Sequence, residues 1–140
     1  MPPNPFESQR HMFKLSILAA SLLAAAASPA LAAPPSGQAL YMENCSACHQ
    51  PTGLGRKGAF PALAGDAFVK GDPTPAISTV LNGRGGMPTF KADLDDTQLA
   101  AILTYVRGAW GNTGKPVAPG QVAAIRAKGA AGKTQGLLAH

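Results

Sequence analysis

The longest run of periodically spaced apolar residues lies between positions 95 and 111. Its apolar side chains recur at i, i+3, i+4 and i+7, at Leu99, Ile102, Leu103 and Val106. This spacing places side chains on one face of an α-helix. Asp95, with Gln98 three residues later, has the capping-box pattern that begins a helix, and Gly111 is a residue type that follows a helix end. We therefore predict the main helix of the protein in this segment.

Two shorter amphipathic stretches predict two further helices. Ser36 is a good N-cap for the first helix, whose shared face comprises Gly37, Leu40, Tyr41 and Asn44. Thr74 is predicted to cap the second helix, with Pro75 at its first position and Gly83 at its end. The apolar face of this second helix comprises Ile77, Val80 and Leu81.

The rest of the chain is predicted to be mostly loop. Residues 50–65 are rich in glycine and proline, which indicates a loop wrapped over a rigid object. Strand-like alternation of apolar and polar residues is absent from the sequence, so we expect an all-α protein. Residues 33–112 are predicted to form one domain. Residues 113–140 are predicted to form a linker, a possible short basic helix over 121–128 and a frayed tail.

Residues 1–32 have the pattern of an export leader. A lysine at position 14 precedes an apolar run over residues 15–27, and Ala30-Leu31-Ala32 provides a small-residue cleavage site. We expect Met12 to be the true start and cleavage to follow Ala32, giving a periplasmic protein. The apolar run is shorter than the roughly 20 residues that a membrane-spanning helix needs. We therefore predict no membrane span in the mature form, although peripheral association stays possible.

The charge of the exported part is modestly basic, with ten Lys and Arg against six Asp and Glu from residue 33 onward. Such a charge can steer a protein toward an acidic partner, or it can simply maintain solubility. The sequence contains no basic run with interleaved aromatic residues, which argues against nucleic acid as a partner.

The main chemical motif is Cys45-Ser46-Ala47-Cys48-His49, which contains the only two cysteines of the chain. This spacing is typical of covalent haem c attachment, in which each thiol forms a thioether with the porphyrin and the histidine ligates the iron. The alternatives are a disulfide redox motif and part of a zinc site. Zinc needs four ligands, and the remaining histidines are His11, in the leader, and His140, the last residue.

A haem bound by His49 needs a second axial ligand, for which Met42, Met87 and His140 are the candidates. Met42 precedes Cys45 by three residues in the same predicted helix and cannot reach the opposite face of the porphyrin. Met87 lies in the segment Gly83-Arg84-Gly85-Gly86-Met87-Pro88, where glycines allow close approach to the ring. A lone methionine is otherwise a core gap-filler, but this loop together with the haem motif favours Met87 as the ligand.

These motifs, with Phe60-Pro61-Ala62-Leu63 and a helix carrying Tyr105, make the chain resemble a class I c-type cytochrome. It is also similar to the haem domains of cytochrome subunits of periplasmic alcohol and sugar-acid dehydrogenases. The resemblance implies a cytochrome c fold, with three to four main helices around one covalently bound haem and an extra C-terminal segment. It implies that the Pro61 carbonyl accepts a hydrogen bond from His49, and that Leu63 packs on the haem.

The resemblance further implies that Gly37 and Tyr41 cross the last helix near Ile102 and Tyr105. Arg84 and Trp110 could contact haem propionates, but the sequence favours a solvated side chain for Arg84 and a packed side chain for Trp110.

The predicted function is periplasmic electron transfer, because an iron with both axial positions filled by His49 and Met87 has no vacancy for substrate. The redox partners would be a dehydrogenase, an oxidase or another cytochrome. One alternative is a haem enzyme or gas-binding sensor with an open sixth site. Another is a non-catalytic cytochrome subunit of a dehydrogenase or oxidase complex.

Overall fold

The computed structural model describes the backbone of residues 33–137 and the side chains as far as Gly129. The predicted leader, with Met12 and the cleavage site after Ala32, lies outside the described residues, as does His140.

The described part of the chain contains six helices. They are α1 (Gly37–Asn44), α2 (Ser46–His49), α3 (Ala67–Lys70), α4 (Pro73–Asn82), α5 (Asp96–Gly108) and α6 (Pro119–Leu137). Residues 33–137 contain no β-strand, only two isolated bridges, which join Arg56 to Phe60 and Arg84 to Met87. The prediction of an all-α protein is therefore confirmed. None of the described helices is long and apolar enough to cross a membrane.

The predicted main helix is α5. Its capping box is complete, because the Gln98 amide donates to the Asp95 side chain at 2.7 Å and the Asp95 amide donates to the Gln98 side chain at 3.0 Å. The helix ends at Gly108, three residues before the predicted Gly111. Its four periodic apolar residues are all buried, at Leu99, Ile102, Leu103 and Val106. This helix forms the centre of the core.

Helix α1 crosses α5 at very short range. A Cβ atom added at Gly37 would stand 2.1 Å from the Ala101 carbonyl oxygen and 3.2 Å from the Tyr105 Cβ. Only a residue without a side chain allows this backbone approach. One turn along α1, the buried Tyr41 ring lies 5.5 Å from the Tyr105 ring between centroids. The crossing implied by the family resemblance is therefore present.

The start of α4 differs from the prediction. The helix begins at Pro73, and its N-cap is Asp72, whose carboxylate accepts a hydrogen bond from the Thr74 amide at 2.9 Å. Thr74 is thus inside the first turn. The predicted end at Gly83 is confirmed, with a positive φ of 74° at that residue. The short helix α3, which Asp66 caps, was not predicted from the sequence.

The C-terminal segment also differs from the prediction of a linker, a short helix over 121–128 and a frayed tail from residue 129. A single helix runs from Pro119 to Leu137, and Val117 and Val122 are buried in the core. The Thr104 hydroxyl accepts a hydrogen bond from the Val117 amide at 3.0 Å. Alanine, glutamine, lysine and arginine dominate the first part of α6 and have high helix propensity, so a helix docked through Val122 can propagate past the predicted boundary.

Candidate functional site

The Cys45-to-His49 motif lies where α1 gives way to α2. Cys45 is the C-cap of α1 and the N-cap of α2. Its carbonyl accepts hydrogen bonds from the amides of Cys48 at 3.2 Å and His49 at 3.0 Å. This single turn gathers two thiols and one imidazole around a short stretch of backbone.

Both cysteines are free thiols and both are half-buried. Burial raises the pKa of the Cys45 thiol to about 11, and the nearby Cys48 raises it further in the same direction. The Cys45 thiol is therefore neutral at physiological pH and faces an apolar environment.

The His49 imidazole is buried and its orientation is fixed by one hydrogen bond. Its Nδ1 lies 2.9 Å from the Pro61 carbonyl oxygen. A carbonyl can only accept a hydrogen bond, so Nδ1 carries a proton, which leaves the lone pair of a neutral imidazole on Nε2. Histidine ligands of metals are commonly held by such a contact, which sets the ring orientation and increases the basicity of the ligating nitrogen. The resemblance implied this contact, and the structure contains it.

The loop over residues 50–65 positions Pro61 through a close backbone approach at Gly55. The Gly55 amide donates to the His49 carbonyl at 3.0 Å, and its φ is 62°. A Cβ atom there would stand 2.4 Å from the Phe60 carbonyl oxygen and 2.5 Å from that of Pro61. Gly55 therefore permits the Pro61 carbonyl to reach His49. Sequence reasoning assigned this glycine only to a loop and missed its role.

Leu63 is held in place by Asn112, which sequence reasoning did not identify. The Asn112 side chain is buried and donates hydrogen bonds to the carbonyls of Leu63 at 3.0 Å and Val106 at 2.8 Å. Its oxygen accepts a hydrogen bond from the Gly65 amide at 2.8 Å. One amide thus links the end of the loop to the end of α5. Leu63 itself is half-buried and packs against the core.

Three aromatic rings support the motif from the other side. The centroids of Tyr41, Tyr105 and Trp110 lie 5.2 to 5.5 Å apart in tilted or edge-to-face contacts. The Tyr41 hydroxyl donates to the Gln50 carbonyl at 2.7 Å and the Trp110 indole donates to the Pro51 carbonyl at 3.1 Å. Burial, with smaller contributions from Cys45 and Tyr105, raises the pKa of Tyr41 to about 12. Trp110 is therefore a packed residue that fixes the backbone just after His49.

Met87 lies in a tight turn that follows α4. The amides of Arg84 and Met87 donate to each other's carbonyls, at 3.2 and 3.0 Å. A Cβ at Gly83 would stand 2.7 Å from the Met87 carbonyl oxygen, so glycine is required for this turn to fold back on α4. The Met87 side chain is half-buried, whereas Met42 is 42% exposed and Arg84 is exposed.

The structure joins the Cys45-to-His49 motif to Pro61 and Leu63 through the loop contacts described above. In the described part of the chain, no hydrogen bond joins the Met87 turn to that motif. Residues near each region pack against the same core: Leu63 beside the motif, and Val80 and Phe90 on either side of the Met87 turn in sequence.

The donor set of this site fits a haem c. The Cys45-to-His49 motif offers two free thiols and an imidazole that Pro61 holds in place, and the Met87 turn offers a half-buried thioether. Imidazole and thioether ligands are among those that hold haem iron in proteins.

Comparison with known proteins identifies relatives of this chain. Residues 32–106 match the family described as cytochrome C oxidase, cbb3-type, subunit III. The cytochrome c subunit of alcohol dehydrogenase (quinone) from Gluconobacter oxydans (strain 621H) is 32% identical over 117 residues, covering 71% of this chain and 24% of that protein. The cbb3-type cytochrome c oxidase subunit CcoP from Azospirillum brasilense is 34% identical over 87 residues, covering 57% and 30%. Cytochrome c-552 from Thermus thermophilus is 32% identical over 112 residues, covering 66% and 85%.

The chain therefore spans less than a third of the first two relatives and most of the third. The predicted resemblance to c-type cytochromes, including cytochrome subunits of dehydrogenases, is confirmed. Family membership implies a haem c cofactor. Because the family match covers more than half of the 140 residues, this chain belongs to the c-type cytochrome domains of the family described as cytochrome C oxidase, cbb3-type, subunit III.

Proposed function

We propose that this chain binds one haem c and transfers single electrons between redox proteins in the periplasm. Cys45 and Cys48 would form the two thioethers, and His49 and Met87 would be the axial ligands of the iron. When bound, the haem supplies a centre that cycles between ferric and ferrous states. The observation that carries the proposal is the His49 Nδ1 contact with Pro61 at 2.9 Å, since it presents Nε2 as a ligand beside two free thiols.

The chain's own residues provide the surroundings that one-electron transfer requires. The Pro61 hydrogen bond keeps the imidazole in one orientation in both oxidation states, and a thioether ligand favours the reduced state. Val80 and Phe90, which flank the Met87 turn in sequence, pack against the apolar core. Apolar surroundings that do not rearrange would keep the reorganisation that accompanies each transfer small.

The domain is an electron carrier rather than a catalyst. Its relatives are cytochrome c proteins or cytochrome subunits, as their names state. With both axial positions filled by protein, a substrate has no open coordination site. An open sixth site for oxygen, nitric oxide or peroxide is the competing hypothesis, and it would require Met87 to be absent from the iron.

The partners are proposed to be a dehydrogenase, an oxidase or another cytochrome, with this chain acting either as a free carrier or as a subunit. The relatives include cytochrome subunits of alcohol, gluconate and fructose dehydrogenases and of a cbb3-type oxidase. A periplasmic location agrees with the leader pattern of residues 1–32.

Acidified-acetone extraction tests covalent attachment. We expect the haem to stay with the polypeptide, and we expect Cys45→Ala and Cys48→Ala each to leave a haem with one unsaturated vinyl group. Haem that partitions fully into the acetone phase from the parent protein would disprove thioether attachment.

Substitution of the two methionines tests the sixth ligand. The ferric parent should show the weak long-wavelength band that an iron–thioether bond gives, and its ferrous form should bind carbon monoxide poorly. Met87→Ala should lose the band, bind carbon monoxide readily and have a lower reduction potential. Met42→Ala is the matched control and should behave like the parent, because Met42 is exposed on α1. Retention of the band in Met87→Ala would exclude Met87 as the ligand.

A further inference from the structure

We infer that Arg126, on the C-terminal helix α6, is a positioning residue that holds Met87 against the haem iron. The inference rests on the proposed ligation by Met87 and adds a role for the segment beyond residue 112.

Arg126 binds three groups that lie 30 or more residues away in sequence. Its Nε donates to the Asp96 carboxylate at 2.7 Å and its Nη2 donates to the Leu94 carbonyl at 2.9 Å. Its Nη1 donates to the Lys91 carbonyl. The Arg126 side chain is 24% exposed, so most of it is removed from water. The guanidinium group is planar, and each of its three nitrogens donates a hydrogen bond. It therefore fixes its partners in both distance and direction.

The two carbonyls that Arg126 binds belong to the turn that follows Met87. The amides of Asp93 and Leu94 donate to the Phe90 carbonyl at 3.2 and 3.1 Å, which closes the turn. Asp96, the third partner, is the first residue of α5. Arg126 therefore ties the turn to the start of the central helix.

The Met87 segment, residues 83–90, is anchored on α4. The Thr89 hydroxyl donates to the Leu81 carbonyl at 2.6 Å, and the Phe90 amide donates to the Val80 carbonyl at 3.0 Å. These bonds fix the chain immediately after Pro88. The Met87 backbone is thus held between α4 on one side and the turn that Arg126 binds on the other.

Helix α6 can act as a fixed support because it is itself docked in the core. Val122 is completely buried one turn before Arg126, and Ile125 packs against the core cluster. The helix packs on both α4 and α5, the two elements between which the Met87 segment runs. Loss of the Arg126 contacts would let the 90–94 turn move relative to α5, and Met87 would leave the iron more often.

Competition by imidazole measures how often Met87 leaves, because an external ligand binds ferric iron only when the methionine is displaced. Affinity then scales with the fraction of molecules that have an open iron, and we expect Arg126→Gln to bind imidazole about tenfold more tightly than the parent. Arg126→Lys keeps the positive charge but loses the planar guanidinium, so its imidazole affinity should lie between those of the parent and Arg126→Gln. Lys128→Gln removes the same charge from an exposed position on the same helix and should stay within about twofold of the parent.

The long-wavelength iron–thioether band provides a second measurement on the same ferric holoproteins. It should be weaker or should disappear at lower temperature in Arg126→Gln than in Lys128→Gln. If Arg126→Gln yields no holoprotein, Asp96→Asn supplies the test, since it removes the ion pair but keeps an acceptor oxygen. Its imidazole affinity should shift in the same direction by a smaller factor.

Two outcomes are distinguishable. If the parent binds imidazole as tightly as Met87→Ala does, the proposed ligation by Met87 is wrong. If Met87→Ala binds tightly while Arg126→Gln matches Lys128→Gln, ligation by Met87 stands and Arg126 merely stabilises the docking of α6. A drop in unfolding stability without a change in imidazole affinity would be that second outcome.

Discussion

At the residue scale, Asn112 has the largest set of hydrogen bonds around the site. Three backbone groups from the Leu63–Gly65 stretch and from α5 depend on this one buried amide. Leaving buried donors and acceptors without partners costs more than the bonds themselves contribute.

We therefore expect Asn112→Ala to lower the free energy of unfolding of the holoprotein by about 3 kcal/mol. Denaturant-induced unfolding followed by circular dichroism measures the change. The exposed neighbour provides a control, and Thr113→Ala should cost less than about 0.5 kcal/mol. Equal stability of the two variants would show that water replaces the lost contacts.

Asp72 gives a pH-dependent prediction, because it caps α4. The backbone amide of Thr74, and then its hydroxyl, lower the pKa of this carboxyl from its usual value, and Arg107 contributes in the same direction. A lowered folded-state pKa means that the stabilisation is present above the unfolded-state pKa, which is about 3.9, and is lost as pH falls through the folded-state pKa.

Asp72→Asn isolates this effect, since asparagine also caps helices but does not titrate. The parent should be more stable than Asp72→Asn at neutral pH, and the difference should shrink as pH falls below about 4. Thermal unfolding of both proteins across this range measures it. A difference that stays constant with pH would mean that ionisation of Asp72 does not contribute to the cap.

The predictions that succeeded for single residues are those with a local signal. Ser36 and Asp95 were identified as caps because their partners are three residues away in sequence. Asp72 and Thr74 are each followed by proline, so the local pattern fits both, and only the structure shows that the helix begins earlier. Asn112 and Arg126 bind groups that are distant in sequence, and no local pattern reports such contacts.

At the element scale, the contact between α1 and α5 depends on one missing side chain. The Gly37 position leaves no room for a methyl group beside the Ala101 carbonyl, which is backbone and cannot rotate away. Overpacking of a tight contact usually costs about 1–3 kcal/mol.

We expect Gly37→Ala to lower stability toward the upper end of that range, about 3 kcal/mol. Gly108→Ala is the matched control, because Gly108 ends α5 and a Cβ there would meet nothing within 4 Å. The Gly108→Ala variant should be as stable as the parent or slightly more stable, since alanine has a higher helix propensity than glycine. Thermal unfolding compares the two, and equal melting temperatures would contradict the close crossing.

The helices whose buried faces follow a regular period were predictable, and the elements fixed by tertiary contacts were not. Helices α4 and α5 each have an apolar face that the sequence displays, and α1 was predictable from its N-cap Ser36 and the adjacent buried pair Leu40 and Tyr41. Helix α3 is too short to show a period, and α6 has its buried Val122 within an alanine-rich stretch that shows no distinct face. The contacts of α6 are with α4 and α5, which are distant in sequence from its buried residues.

At the scale of the whole molecule, the two loops that contain Pro61 and Met87 carry basic side chains and no acidic ones. In the loop over residues 50–65 the charged side chains are Arg56 and Lys57, and in residues 83–92 they are Arg84 and Lys91. These are the segments that contain Pro61 and Met87. The acidic residues from position 33 onward lie outside both segments, at Glu43, Asp66, Asp72, Asp93, Asp95 and Asp96.

This distribution predicts that electron exchange depends on the charge of the reaction partner. An anionic reagent such as ferricyanide should oxidise the ferrous protein fastest at low salt, because the positive loops attract it toward the haem. Raising the ionic strength to 0.1 M shortens the screening length to about 10 Å and should slow the reaction. A cationic reductant such as hexaammineruthenium(II), which donates one electron to the ferric protein, should show the opposite dependence.

Two Lys→Gln substitutions at different places can separate the effect of local charge on the rate from the effect of net charge. Lys57→Gln and Lys128→Gln change the net charge equally, but Lys57 is exposed in the loop that contains Pro61, whereas Lys128 is exposed on α6. If local attraction controls the encounter, Lys57→Gln should reduce both the rate with ferricyanide at low salt and its salt dependence more than Lys128→Gln does. Equal effects of the two substitutions would mean that only net charge matters. Rates that ignore ionic strength altogether would leave the haem assignment intact and remove electrostatic steering as the basis of partner recognition.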